Sequence, residues 1–280
     1  MANIGATTAF YKVETSLTRA NSEVSKSMER LATGRQNANA GDRSSYVAMA
    51  DTFRLDYVGT KAGIKGASVV MGYLETGMRV LDAASGLLAR LQELAVLGAN
   101  ETNTTADAAA IDAEAEAIGD EFDRLMSGST YKGKNVFVSS ANSEYVSLGG
   151  RDAEMTFGIA AITYTELHDG TNDSTTDLAH LASAGASSAT NTLTQDIEAV
   201  QKKINTARVQ AGSQYAALES AVTYTTDLTA QYELGYNTVN DVNFSMETAH
   251  LAKNQILQQA ATAMLAQANQ GQQGLLQLLQ

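Results

Sequence analysis

The chain has 280 residues, with 31 acidic against 19 basic side chains for a formal charge of −12, and 44% of it is hydrophobic. It contains no Cys, which excludes disulfides, thiolate metal sites and cysteine nucleophiles. The acidic balance argues against nucleic acid, whose phosphates demand a basic surface. Pro is absent as well; average usage of about 5% would supply about fourteen, so the chain is free to run long helices. No apolar run approaches the roughly eighteen residues of a membrane span, and no membrane partner is expected. The first residues, MANIGATTAFYKVETSL, have neither a charged leader nor an apolar core of the secretory kind.

Residues 4–33 read as a first helix. Phe10, Leu17, Val24 and Leu31 repeat every seven residues, with Val13, Ala20 and Ser27 three residues after the first three, a heptad-like seam. The seam is thin, because Ala20 and Ser27 are small, and such a helix is marginal alone. Thr33-Gly34 stops it. Residues 34–46, with Gly, Asn, Asp and Ser, have the composition of a loop that holds Asp42 and Arg43. From Val47 to Gly98 the pattern is helical again, softly broken at Gly59, Gly63 and Gly66. Leu74, Leu81, Leu88 and Ala95 keep a seven-residue register suited to an antiparallel bundle, with Gly72, Gly77 and Gly86 off that face.

Asn100 to Thr105 is a polar turn. Residues 106–127 form a third helix, with Ile111, Ala115, Ile118, Phe122 and Leu125 on one face. Asp107, Asp112, Glu114, Glu116, Asp120, Glu121 and Asp123 make the other acidic, and it reads as a solvated face without a catalytic constellation. Residues 131–165 carry short β-prone runs at Val136–Val138, Tyr145-Val146, Met155–Ile159 and Ile162–Tyr164, read as two or three strands in hairpins. Residues 168–192 are polar, small and low in complexity, a surface excursion. Residues 101–192 hold fifteen acidic and four basic side chains, leaving the two ends nearly neutral.

Residues 193–235 return to helix, with Leu193, Ile197, Val200, Ile204, Ala207, Ala211, Leu218 and Val222 on one stripe. A last helix follows from Ser245 to about Gln270, capped by Asn243 or Ser245, with Glu247 in its first turn. It carries two apolar stripes: Met246, Ala249, Ile256, Ala260 and Ala263; and Leu257, Ala261, Met264, Ala268, Leu275 and Leu278. Apolar surface on more than one side calls for partners. The expected fold is mainly α: a long antiparallel bundle, N- and C-terminal coiled-coil helices side by side, and a small β-hairpin region. Phe10, Leu17, Val24, Leu31, Ile256, Leu257, Met264, Leu275 and Leu278 are the candidate self-assembly residues.

Four segments resemble bacterial flagellin. KSMERLATG (26–34) resembles the end of its N-terminal helix, and LARLQELAVLGANETNT (88–104) its arginine-bearing helix and polar turn. IDAEAEAIGDEFDRL followed by YKGKNVF resembles the entry to its β region, and residues 239–279 resemble its C-terminal signature. The chain departs from the family pattern where Asp42 is followed by Arg43 in a loop that usually carries adjacent acids, where Tyr46 stands in place of a common Gly, where Ala216-Ala217 replaces an Asn-Arg pair, and at Gln92 and Leu97, which differ from strongly receptor-stimulating members.

The resemblance implies a secreted, extracellular filament subunit with no cofactor. Residues 1–45 with 236–280 would form the inner tube, residues 46–167 with 193–235 the outer tube, and 168–192 a minimal variable excursion. It implies identical copies as partners, together with the flagellar export apparatus, a flagellin chaperone, and the filament cap and hook-junction proteins. It also points to a host innate immune receptor through Arg90, Leu94 and Glu114. The competing readings are a hook–filament junction protein of the same family and a free-standing coiled-coil effector. A zinc peptidase would need two His one helical turn apart around a Glu. His168, His180 and His250 do not have that spacing.

Overall fold

The described residues of this computed structural model are 8–39, 41–149, 153–162 and 186–278. They form five helices: α1 (Thr8–Thr33), α2 (Ser44–Gly98), α3 (Thr105–Gly128), α4 (Ala186–Asn240) and α5 (Phe244–Leu278). Six short strands lie between α3 and α4: β1 (Thr130–Tyr131), β2 (Lys134–Asn135), β3 (Phe137–Val138), β4 (Glu144–Ser147), β5 (Glu154–Phe157) and β6 (Ile159–Ala160). The mainly α class and the order of elements are those expected. The chain divides into two compact units, residues 1–57 with 230–280 and residues 58–229.

In the unit 58–229, the leucine register of α2 is the core. Leu74, Leu81, Leu88, Leu91 and Leu94 are at most 2% exposed, and pack with Ile111, Ala115 and Phe122 of α3 and Val200, Ile204, Ala211 and Leu218 of α4. Polar contacts bind α4 to α2. Gln92 Nε2 donates to Thr194 Oγ1 (3.1 Å), and Arg208 pairs with Asp82 (2.6 Å) while donating to the Leu81 carbonyl (3.3 Å). The Thr229 hydroxyl donates to that of Thr60 (2.8 Å). Thr104 caps α3: its hydroxyl accepts from the Asp107 N–H while the Asp107 carboxylate accepts from the Thr104 N–H, a reciprocal box.

Three expectations change. The glycines of α2 do not break it, and the helix is continuous for 55 residues. Gly59, Gly63 and Gly77 are places where the strand region comes close to the helix backbone. A Cβ on Gly59 would stand 2.6 Å from the Gly149 carbonyl oxygen, one on Gly63 would overlap the Leu148 backbone, and one on Gly77 would meet Val136 Cγ1 at 2.9 Å. Their cost in helix propensity is offset by that packing.

The strands are six, and only two pairs, β1–β2 and β4–β5, are antiparallel; β3 pairs with β6 in parallel. The Gln214 side chain clamps both N–H and C=O of Gly158 just before β6 (3.0 and 3.1 Å), and the Tyr73 hydroxyl donates to the Val136 and Asn135 carbonyls beside β3. Helix side chains thus hold the two strands that no hairpin joins. Finally, α4 begins at Ala186, inside the expected excursion. The rest of that excursion, and the expected strand residues 163–164, lie outside the described residues.

Candidate functional site

The unit of residues 1–57 and 230–280 carries the candidate assembly surface. Its central feature is α1 packed on α5. On α1 the heptad residues turn inward: Val13, Leu17, Val24 and Leu31 are half-buried, and Ala20 and Ser27 are buried at 6% and 3% exposure. The side chains of Phe10, Leu275 and Leu278 lie outside the described residues. Hydroxyls at Thr15, Ser16, Thr18 and Thr33 donate to the carbonyls four residues back. Such bonds satisfy the side chain but add nothing to helix propensity, so α1 depends on its partners.

The inward face of α5 is Glu247, Leu251, Asn254, Gln258, Ala261, Leu265 and Ala268. Of the two expected stripes only Ala261 and Ala268 lie on it. Leu251 and Leu265, outside both stripes, are half-buried. The cross-helix contacts are polar: Gln258 Nε2 donates to Asn21 Oδ1 (2.7 Å), and Arg30 approaches Glu247 at 3.8 Å. The seam combines half-buried leucines and valines with alanines, amides and one ion pair, and it leaves other large apolar residues of α5 outside. Ile256, Leu257 and Met264 are 65%, 48% and 53% exposed, and Phe244 and Met246 at the start of the helix are 57% and 59% exposed. Eleven of the eighteen exposed large hydrophobic side chains among the described residues belong to this unit, the smaller of the two. Exposed apolar surface so concentrated marks an interaction face.

Sequence reasoning missed the clasp that fixes the root of both helices. Gly34, at φ 70°, closes α1 by donating to the Arg30 carbonyl (2.8 Å), the left-handed cap that Gly adopts without strain. Its own carbonyl accepts from the Val242 N–H (3.1 Å), the Gln36 N–H donates to the Asn240 carbonyl (2.7 Å), and Arg35 bridges Asp241 in antiparallel fashion. The Asn37 amide donates to the Val239 carbonyl (3.2 Å). Asn37 and Asn240 are buried at 8% and 7% exposure, and the Asn37 amide, in the segment 34–46 read as a loop, was the available signal. Further along the loop, the Arg43 guanidinium lies over the Tyr46 ring, 5.4 Å from its centroid. Asn243 is the cap of α5, accepting from the Met246 N–H (3.2 Å).

In the other unit, the exposed Arg90 binds Glu114 Oε1 through Nη2 (2.6 Å) and Nε (3.0 Å), and Glu93 through Nη1 (2.7 Å). These bonds, Glu114 first, hold the guanidinium pKa above its ordinary value. Leu94, expected on the same surface, is instead 1% exposed and part of the core. It falls in the inward register between Leu91 and Ala95. The acidic face of α3 is partly engaged: Asp107 caps the helix and Glu121 binds Arg124. Among the described residues no group of three or more His, Cys, Asp or Glu could hold a metal ion.

Against known proteins, residues 5–142 match the family model of the bacterial flagellin N-terminal helical region, and residues 194–279 that of the C-terminal helical region. A flagellin of Halalkalibacterium halodurans is 25% identical over 256 residues, 91% of each chain. A flagellar filament 33 kDa core protein of Treponema phagedenis is 26% identical over 277 residues, 92% of this chain and 93% of its own. A flagellin of Bacillus subtilis is 26% identical over 285 residues, with the same shares. The crystal structure of Bacillus cereus flagellin is 25% identical, with a TM-score of 0.45 over 57% of this chain and 88% of that one.

Proposed function

Because this chain belongs to the bacterial flagellin family, we propose that it is a structural subunit that polymerises through its terminal helices into the flagellar filament used for motility. The observation that carries the reading is the outward apolar row Ile256, Leu257 and Met264 on a helix whose own intramolecular seam holds two half-buried leucines, Leu251 and Leu265, among Ala, amide and Glu side chains. Ordering a residue costs about 1–2 kcal/mol, and a seam this thin returns little of it. Burial of the outward residues against identical copies, at about 25 cal/mol per Å², supplies the rest. Folding of the arms and growth of the filament are therefore one coupled event.

In this reading residues 1–45 and 236–280 line the inner tube, residues 46–167 and 193–235 form the outer tube, and 168–192 is a short surface excursion. Phe10, Leu17, Val24, Leu31, Ile256, Leu257, Met264, Leu275 and Leu278 carry the assembly contacts. The subunit leaves the cell through the flagellum's own export apparatus, accompanied by a flagellin chaperone, and is placed between hook-junction and cap proteins in an extracellular filament. Its role is mechanical, without catalysis. The exposed Arg90–Glu114 pair is the part of the bundle surface offered to a host innate immune receptor. A receptor reporter that responds equally to the wild type and to Arg90→Ala would remove that role.

The direct test is to add purified full-length chain to short sheared filaments and follow length by electron microscopy. Fibres of constant diameter that lengthen with subunit concentration are expected. Monomer that stays dispersed, with seeds unchanged, would overturn the reading.

A further inference from the structure

The described methionines separate cleanly by unit. Met28, Met49, Met246 and Met264, all in residues 1–57 and 230–280, are 51%, 48%, 59% and 53% exposed. Met71, Met78, Met126 and Met155, all in residues 58–229, lie in the bundle core or pack against it. The single remaining methionine, Met1, lies outside the described residues. The methionine side chains are thus about half exposed in one unit, and partly or fully buried in the other.

A two-electron oxidant distinguishes the two groups by access. The sulfur lone pair attacks a peroxide oxygen, an S–O bond forms as the O–O bond breaks, and the peroxide is reduced to water while the thioether becomes a sulfoxide. Hypochlorous acid delivers the same oxygen and leaves as chloride and a proton. The product is polar and chiral, and its oxygen needs a hydrogen-bond donor wherever it is buried. A face that must become dry against neighbouring copies does not provide one.

We propose that Met28, Met49, Met246 and Met264 form an oxidation site through which peroxide or hypochlorous acid switches off assembly of the free subunit. The inference rests on the filament reading above. Assembly covers the four sulfurs, so a subunit already incorporated is protected and one in solution is not. The device acts on growth and leaves existing filament intact. It is reversible: the paired reductases specific for the two epimers return sulfoxide to thioether, the oxygen leaving as water while a dithiol is oxidised to its disulfide. Losing the burial of one such side chain corresponds to roughly tenfold in critical concentration.

The test treats full-length monomer with hydrogen peroxide, maps sulfoxide by peptide mass spectrometry, and then adds the protein to sheared filament seeds. Oxidation is expected at the four exposed positions before Met71, Met78, Met126 or Met155, with the critical concentration raised about tenfold or more. Incubation with both sulfoxide reductases and a dithiol reductant should restore growth. The quadruple variant Met28→Leu, Met49→Leu, Met246→Leu and Met264→Leu, nearly equal in volume, should grow and ignore peroxide. If that variant does not grow, the reductase arm decides. Oxidised protein that extends seeds as fast as untreated protein, or bundle methionines oxidised as fast as the four, overturns the proposal alone. Untreated protein that never extends seeds overturns the filament reading and this inference with it.

Discussion

Asn21 of α1 and Gln258 of α5, 237 residues apart in sequence, are joined side chain to side chain at 2.7 Å. An amide pair at the middle of a helix–helix contact fixes alignment more than it adds affinity. An exposed neutral hydrogen bond contributes about 0.5–1.5 kcal/mol, less than one well-buried leucine. The half-buried Leu251 and Leu265 add apolar contact to that pair, while Ile256, Leu257 and Met264 of α5 stay exposed.

Leu257→Asp should leave the bundle folded and stop growth. The substitution puts a charge on an outward residue, so the thermal transition of the monomer should change little while seeded elongation is lost. Leu17→Asp, on the half-buried seam of α1, should also stop elongation and additionally loosen α1. Electron microscopy and circular dichroism read the two effects separately. Normal filaments from either variant would count against an assembly role for that residue.

Two glycines of α2 should respond in opposite directions. Gly86 has nothing within 4 Å of a would-be Cβ, so Gly86→Ala should stabilise the bundle by about 0.5–1 kcal/mol. Gly63 lies against the Leu148 backbone, and Gly63→Ala should destabilise it by about 1–3 kcal/mol. Denaturant midpoints of the two variants measure both. Equal effects would mean that the glycines matter only through helix propensity.

Sequence periodicity reports one face of a helix at a time. The seven-residue register gave the leucine core of α2 and the inward face of α1 because large and small residues alternate there. It could not reveal that Gly59, Gly63 and Gly77 form a second packed face, since a close approach needs the partner to be known. The stripes of α5 were legible as apolar but not as inward or outward. Alanine surrounds that helix, and Glu247, Asn254 and Gln258 on the inward side look like solvent residues until Arg30 and Asn21 are opposite. The parallel pairing of β3 with β6 is set by Tyr73 and Gln214, which belong to helices. The Thr104–Asp107 box was missed, with Asp107 placed on the solvated face, although its three-residue spacing carries the signal.

Tyr73→Phe should destabilise the unit 58–229 by about 1–3 kcal/mol, the cost of leaving the buried Val136 carbonyl and the part-buried Asn135 carbonyl without their donor. The ring itself, packed edge-on against Phe157 at 5.5 Å, is kept. Burial, then the nearby Glu144 charge, raises the Tyr73 phenol pKa. A raised pKa gives stability that is full below the unfolded value and lost as pH rises through the folded one. The wild type should therefore lose stability through the alkaline range more steeply than Tyr73→Phe, as thermal melts at increasing pH would show. Parallel curves would assign the alkaline loss elsewhere.

Acid should uncap α3. Hydrogen bonds from the Thr104 hydroxyl and backbone N–H hold the Asp107 carboxyl below its usual range. Stability from a depressed pKa is present above the unfolded value and lost as pH falls through the folded one. Asp107 should titrate below an ordinary aspartate by NMR, with amide shifts at Thr104 following it. In Thr104→Ala the Asp107 titration should move back toward the ordinary range. An unchanged titration in that variant would dissociate the shift from the cap.

Near the ends of the unit 58–229, the hydroxyls of Thr60 and Thr229 meet at 2.8 Å. Bringing two points about 170 residues apart together carries an entropic penalty of about 4–5 kcal/mol on the (3/2)RT ln n scale. The bundle absorbs that penalty as it folds. The two arms thus set out from neighbouring points, like the free tails of a knotted cord, and their search for each other is local despite the sequence distance between them. The bundle forms first on this account, and the arms are already side by side when they order.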